Sequence, residues 1–246
     1  GLTSQPNFNS LVEALRNTKH EVDHDVTHLN QHSNYWERVR DYYYPFESGL
    51  MAGTAEVYDH EIPGGQYSNL RPQAISLGLG DKMEEIKQAY ADVNQLFGDI
   101  VKVTPSSKVV GDMALFMVSN NLTKEDIFTK GDTISFPSSV KSFFKGDIGQ
   151  APGGFPKELQ KIVLKNEIPY TDLPNAHLLP IELDVAFNQF KEKFGMHLSF
   201  LDFLSWQFYP KVFEDYLVFV KEFGDVSKLP TPIFFFGMKT NEEILV

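Results

Sequence analysis

The sequence predicts a mainly α fold, a multi-helix array closed by a short terminal strand. Three observations carry this: apolar side chains recur at spacings of three and four through most of the chain, helix-capping residues stand where those runs begin, and alternating strand-like stretches are scarce. The runs, in order, are Leu11, Val12 and Leu15; Met83, Ile86, Ala89, Tyr90, Val93 and Leu96; then Val109, Val110, Met113, Ala114 and Met117. Leu159, Ile162 and Val163 follow, with Leu183, Phe187, Phe190 and Phe194, and finally Val212, Tyr216, Val220 and Phe223. Asp81 is placed to cap a helix ending at Gly98, Ser106 to cap one running to Asn120, and Pro156 suits a first helical turn. The clearest strand is Pro232-Ile233-Phe234-Phe235-Phe236-Gly237, and no βαβ alternation accompanies it.

Composition narrows the function classes. The 246 residues, 42% apolar and 22% charged, suffice for one large or two small globular domains. No apolar run approaches the roughly 18 residues that cross a bilayer, and the first ten residues carry neither a basic patch nor an apolar segment. A membrane partner is not expected. Absence of cysteine rules out disulfides, thiolate metal sites and a thiol nucleophile, and makes the cytoplasm the default compartment. A formal net charge of −11 opposes a phosphate backbone, so nucleic acid is not an expected partner. The clustered rings Tyr42-Tyr43-Tyr44, Phe143-Phe144 and Phe234-Phe235-Phe236 read as core or interface groups, since base stacking wants interleaved cations that are scarce here.

Two features point to a piece of something larger. Gly1-Leu2-Thr3-Ser4-Gln5-Pro6 looks like a loop leading from a strand into a helix, with the strand absent, and Glu242-Glu243-Ile244-Leu245-Val246 has an apolar tail and no stop signal. Soft internal boundaries are expected at residues 146–154 and 169–180, which collect glycine and proline.

Two constellations carry chemistry. His20-Glu21-Val22-Asp23-His24 matches H-E-x-x-H, in which imidazoles one helical turn apart hold zinc, and His28 and His32 continue the spacing. Its surroundings, Asp23, Asp25, Asn30 and Gln31, read instead as a solvated segment, with adventitious metal ahead of a zinc hydrolase. Gly64-Gly65-Gln66-Tyr67-Ser68-Asn69-Leu70, preceded by Glu61-Ile62-Pro63, reads as a tight turn with bare backbone opening a helix through Ala74, its N–H groups and Ser68 directed to one spot. A plain helix cap accounts for the same residues, and no base or G-x-S-x-G elbow supports a serine hydrolase. Gly153-Gly154-Phe155-Pro156 lacks the Gly-Lys-Ser/Thr of a phosphate cradle, and the Glu84-Glu85 and Glu242-Glu243 pairs read as solvated.

The run from Glu56 through His60-Glu61-Ile62-Pro63-Gly64-Gly65-Gln66-Tyr67-Ser68-Asn69-Leu70 resembles the signature that follows the barrel in the carboxyltransferase domain of the pyruvate carboxylase family. Gly98-Asp99-Ile100-Val101-Lys102-Val103-Thr104-Pro105-Ser106-Ser107-Lys108-Val109-Val110-Gly111-Asp112 and residues 1–6 continue the resemblance, which covers essentially the whole chain. The first part is shared with carboxyltransferase subunits of transcarboxylase and oxaloacetate decarboxylase, which stand as the alternative. The later segment, from Phe136-Pro137 through Tyr209-Pro210 to Phe234-Phe235-Phe236-Gly237-Met238, is similar to pyruvate carboxylases in particular.

The resemblance implies a biotin-dependent, ATP-using ligase that moves a carboxyl group from carboxybiotin to pyruvate, giving oxaloacetate. It implies that residues 1–20 are the last barrel loop and helix, 21–229 the helical funnel of a TIM-barrel domain, and 230–246 the start of a tetramerisation and allosteric region. The divalent metal, such as zinc or manganese, would sit on barrel residues absent from this chain; biotin and ATP would belong to other domains, and the partners would be the other subunits of a homotetramer. Ser68 stands where the family has a threonine that relays a proton between the pyruvate methyl and biotin. Gly64, Gly65, Gln66 and Arg71 would support its pocket, and Thr3, Ser4 and Gln5 would line the barrel mouth. The chain alone is expected to be inactive, and a module that only supports the barrel and subunit assembly is the other reading.

Overall fold

The computed structural model describes residues 6–44, 47, 49, 50, 52–230 and 233, and all the regular structure named below is helical. Helix α1 (Phe8–Leu15) is capped by Asn7, and α2 (Val26–Tyr43) by Asp25, whose carboxylate accepts from the N–H groups of Thr27 and His28. The Asn9 amide ties the two together, donating to Asn30 Oδ1 at 2.7 Å and Ser33 Oγ at 2.9 Å. No residue of α2 is buried, and Tyr35, Trp36, Tyr42 and Tyr43, with Tyr44 just beyond its end, stand exposed.

The main core begins with α3 (Val57–His60) and α4 (Gly64–Ser76) and is organised around α5 (Met83–Leu96) and α6 (Ser106–Ser119). On α5, Ile86, Tyr90 and Val93, followed by Phe97, make one fully buried stripe, the spacing read from the sequence. Helix α6 buries Val109, Val110, Met113, Ala114, Leu115 and Met117, which places it centrally. Helix α7 (Lys124–Thr129) packs on α5, α8 (Ser138–Lys145) on α6, and α9 (Lys157–Leu164) on α8. There Phe97, Phe143, Phe144 and Phe155 cluster, with edge-to-face pairs at centroid distances of 5.0 Å for Phe97–Phe144 and 5.1 Å for Phe143–Phe155.

The chain divides into two compact units between Leu178 and Leu179, inside the soft stretch 169–180. The second unit comprises α10 (Leu183–Phe194), α11 (Phe200–Phe208) and α12 (Pro210–Phe223), around a small core of Phe190, Leu198, Phe203 and Phe213.

Several local expectations need correction. Asp81 lies inside a 3-10 turn (Gly80–Lys82) rather than capping α5, and that helix stops at Leu96, two residues before Gly98 takes a left-handed φ of 94°. Ser106 is the first residue of α6, not its cap; its hydroxyl donates to the Val101 and Val103 carbonyls and holds the preceding bend closed. Pro156 occupies the cap position before Lys157. On α12 the sequence periodicity chose the wrong face: Val212, Tyr216 and Phe223 are exposed, while Phe213 is buried. The expected strand at residues 232–237 lies, except for Ile233, outside the described residues.

Candidate functional site

The chain enters α4 through one left-handed residue. Glu61, with φ 58° and ψ 14°, ends α3, and Pro63 then takes the cap position of α4. The turn is therefore made by Glu61. Gly64 and Gly65 have ordinary helical backbone and form the first turn of α4, which corrects the expectation that the glycine pair makes the bend. Gly64 is buried; Gly65 is exposed, and a side chain at its Cβ position would meet open space.

Ser68 is half-buried, one turn into α4. Its hydroxyl donates back into its own helix, to the Gly65 carbonyl at 3.0 Å and the Gly64 carbonyl at 3.3 Å, and Asn69 Nδ2 shares the Gly65 carbonyl at 2.8 Å. Among the described residues, no hydrogen bond uses the acceptor capacity of that hydroxyl. Four residues later Pro72 interrupts the helix interior, and without an N–H it cannot donate to the Ser68 carbonyl. Ser68 thus sits at a locally weakened turn.

The flanking residues brace α4 on two sides. A Cβ on Gly111 would come within 2.6 Å of Gln66 Nε2 and 3.3 Å of Leu70 Cδ1, so the absence of a side chain there lets α4 lie directly on α6. The Arg71 guanidinium likewise reaches the bare face of Gly49, with Nη1 2.8 Å from where a Cβ would stand. Gln66, Ser68 and Arg71 therefore share one helix but face different neighbours. Thr3, Ser4 and Gln5 lie outside the described residues.

Two charged groups join α3 and α4 to α5, and sequence reading missed both. The Glu61 carboxylate accepts from Lys102 Nζ at 2.8 Å and from the fully buried Asn94 Nδ2 at 3.0 Å; Asn94 also donates to Asp99 Oδ1 at 2.8 Å. Burial, aided by Glu61, pushes the Tyr90 phenol upward, and its hydroxyl donates to the Ser107 carbonyl at 3.2 Å. Lys87 bridges Glu56 at 3.0 Å and Glu84 at 2.8 Å; burial works against its charge, but these two carboxylates prevail and hold it at about 12. His60 stacks on Tyr67 at 5.5 Å and accepts the Ile62 N–H on Nδ1 at 2.9 Å; burial, then Lys87, lowers its pKa. A cavity of about 150 Å³ is lined by Glu56, Asp59, His60, Glu84, Lys87 and Gln88, and Ser68 is not among them. The signal available for Glu61 and Lys102 was that each sits inside a signature run, but 41 positions separate them.

The histidine run lies on exposed chain, as the solvated segment read from the sequence, and does not form the helical zinc arrangement weighed against it. Asp25 caps α2 so that it starts at Val26, leaving residues 21–25 outside any helix. Glu21 accepts from the Asn17 N–H, and His24 packs edge-on against Phe8 at 5.4 Å. Only His28 and His32 meet, with their Nε2 atoms 3.1 Å apart on the exposed face of α2. Among the described residues no group of three or more His, Asp or Glu side chains is arranged to hold a metal ion. None of the described helices is long and apolar enough to cross a membrane.

Comparison with known proteins agrees with the layout of these segments. The family model described as a conserved carboxylase domain matches residues 57–246. The pyruvate carboxylase of Bacillus subtilis (strain 168) is 49% identical over 246 residues, covering 100% of this chain and 21% of that protein. Pyruvate carboxylase 1 of Caenorhabditis elegans is 44% identical, covering 99% of this chain and 21% of that protein. The structure of the carboxyl transferase domain from Rhizobium etli pyruvate carboxylase aligns with a TM-score of 0.84 at 49% identity, over 99% of this chain and 41% of that one. A structure of the same domain with pyruvate and biocytin aligns equally well, with a TM-score of 0.84. The chain thus spans about a fifth of the length of the pyruvate carboxylases it matches.

Proposed function

The chain belongs to the conserved carboxylase domain family, and from that premise we propose that it is the helical part of a pyruvate carboxylase carboxyltransferase domain, supplying Ser68 as the proton relay in carboxyl transfer to pyruvate. The observation that carries this reading is the setting of Ser68. Its hydroxyl is half-buried, bonded among the described residues only into its own helix, and stands beside the uncovered backbone of Gly65. A hydroxyl donating to two carbonyls of its own helix, with its acceptor lone pairs available, can turn outward at little cost. It fits a ureido group, which offers both a donor and an acceptor.

Carboxybiotin supplies the carboxyl group when bound. Ser68 Oγ takes a proton from the pyruvate methyl while giving its own to the ureido group, so the alcohol ends with the same number of protons and never bears a full charge. An alcohol is too weak a base to act otherwise at neutral pH. Serine in place of the family's threonine keeps the hydroxyl and loses the methyl that restrains χ1. Gln66 and Arg71 support the turn from either side. The divalent metal finds no ligand set among the described residues; its ligands and the ATP site belong to other parts of the longer protein, so the chain alone is inactive.

The rest of the reading follows the family. Residues 1–20 form the last barrel loop and helix, 21–229 the funnel and 230–246 the start of the tetramerisation region, in a cytoplasmic homotetramer. Relatives that are pyruvate carboxylases along the whole of this chain favour that enzyme over the decarboxylase and transcarboxylase subunits. In the complete enzyme, Ser68→Ala is expected to lower carboxyl transfer to pyruvate by about 10²- to 10⁴-fold while biotin carboxylation continues. Transfer that survives the substitution removes Ser68 from the mechanism and leaves the chain a purely supporting module.

A further inference from the structure

The inference here rests on Ser68 being the relay, and it concerns what fixes the place of that hydroxyl. Among the described residues the Ser68 side chain bonds only to carbonyls of its own helix, so its position is inherited from the first turn of α4. The C-terminal side of that turn adds little stiffness, because Pro72 has no N–H to give the Ser68 carbonyl. Buried Tyr67, Leu70 and Ala74 seat the body of α4, and the approach to its first turn has a polar anchor of its own on the N-terminal side. There stands Glu61, in the left-handed region, whose carboxylate is gripped by Lys102 from the segment between α5 and α6 and by Asn94 from α5.

Two separate stretches of chain therefore converge on the carboxylate of a third. The Asn94 amide shows how firmly the arrangement is set: its nitrogen donates to two acids, Glu61 and Asp99, while its fully enclosed Oδ1 has no hydrogen-bond partner among the described residues. Turning the amide over would give the oxygen no relief, since it would then face two carboxylates. The lone acceptor is the cost of keeping both N–H groups on the acids. The Lys102 side chain is only 15% exposed while that of Glu61 is 43% exposed, so the pair is screened from solvent on the lysine's side alone.

We propose that Glu61, held by Lys102 and Asn94, is a positioning residue for carboxyl transfer: it sets the depth of the first turn of α4 and so the reach of the Ser68 hydroxyl. Releasing it leaves the substrate sites intact and displaces the relay. Proton transfer should suffer, because small misplacements of a reacting group cost rate steeply.

The test uses the full-length, biotin-loaded enzyme. Lys102→Met is expected to lower kcat for pyruvate carboxylation about tenfold, with the KM for pyruvate nearly unchanged and ATP-dependent biotin carboxylation at the parent rate. Lys102→Arg, which restores a cation to Glu61, is expected to recover most of kcat. The deciding readout is the deuterium isotope effect with trideuteriopyruvate, which rises in Lys102→Met because removal of the methyl proton becomes more rate-limiting. A merely structural loss of active molecules leaves that effect where it was. Parent kcat in Lys102→Met, or a lowered kcat with an unaltered isotope effect, overturns the proposal. Should Lys102→Met fail to fold, Glu61→Gln decides by the same readout, since it keeps the shape and weakens both hydrogen bonds. Ser68→Ala assayed alongside separates the two claims: transfer retained there defeats the relay itself, whereas transfer lost there with Lys102→Met unaffected defeats only the positioning role.

Discussion

The two units differ in how their interiors are built. Up to Leu164 the main core mixes aliphatic and aromatic side chains contributed by α4, α5, α6, α8 and α9, and α6 is enclosed on most of its circumference. From Leu179 onward the core among the described residues is four buried side chains, three of them phenylalanine, while Leu201, Phe208, Val212, Tyr216 and Val218 remain exposed. A broad core distributes its burial over many side chains; a narrow one stakes its stability on a few rings. The second unit should therefore respond to single changes as a whole, and the first more locally.

The largest effect comes from the rings themselves. Phe144→Ala and Phe203→Ala each remove a fully buried ring and are expected to cost about 3–5 kcal/mol. Hydrogen exchange checks where that cost falls. Phe203→Ala should strip protection from α10, α11 and α12 and leave α5 and α6 protected, whereas Phe144→Ala should act on α5, α6 and α8. Protection lost throughout the chain in either variant would make the two cores one cooperative body and end the comparison.

A matched device sharpens it at smaller scale. Thr123 with Asp126 caps α7 in the first unit, and Ser199 with Asp202 caps α11 in the second, each as a reciprocal capping box. Thr123→Ala and Ser199→Ala should each cost about 1 kcal/mol. Denaturant titration of amide protection should show the Ser199 variant lowering the midpoint of its unit by the larger fraction. Equal fractional shifts would mean that the two units have similar stability.

The smallest effect is a pH dependence confined to the first unit. Burial and the neighbouring Lys87 lower the pKa of His60, so the folded state holds it neutral while the unfolded chain binds a proton at about pH 6.5. Its contribution is fully present above that pH and is lost as pH falls through the window between 6.5 and the lowered native value. Urea unfolding of the first unit at about pH 7.5 and about pH 5.5, on either side of the ordinary histidine value, should show a larger loss on acidification in the parent than in His60→Gln. Identical losses would exclude His60 as a source.

Much of this layout was legible beforehand because burial on a helix has a period. The stripe Ile86, Tyr90, Val93 and the dense row on α6 were read from spacing alone. The period fails where a helix is wetted on both sides: Val212, Tyr216 and Phe223 repeat correctly and still face outward, because spacing names a face without saying what covers it. The H-E-x-x-H run, read as a solvated segment, stays out of the helix for a local reason, since Asp25 caps α2 rather than continuing a helix. At the candidate site the seven-residue signature around Ser68 was visible, but its supports were not. Glu61 and Lys102 were both in view, yet nothing in a linear pattern pairs residues 41 apart.

The sequence by itself determined the helical character, the buried stripe of α5 and the hydroxyl at Ser68, because each depends on neighbours within a few turns. Tertiary structure alone decided that Glu61 makes the bend, that Gly111 admits Gln66 and that Asn94 and Lys102 close on one carboxylate. Such contacts arise only when separate helices approach closely enough for a missing Cβ or a shared charge to matter, and that distance is set by packing.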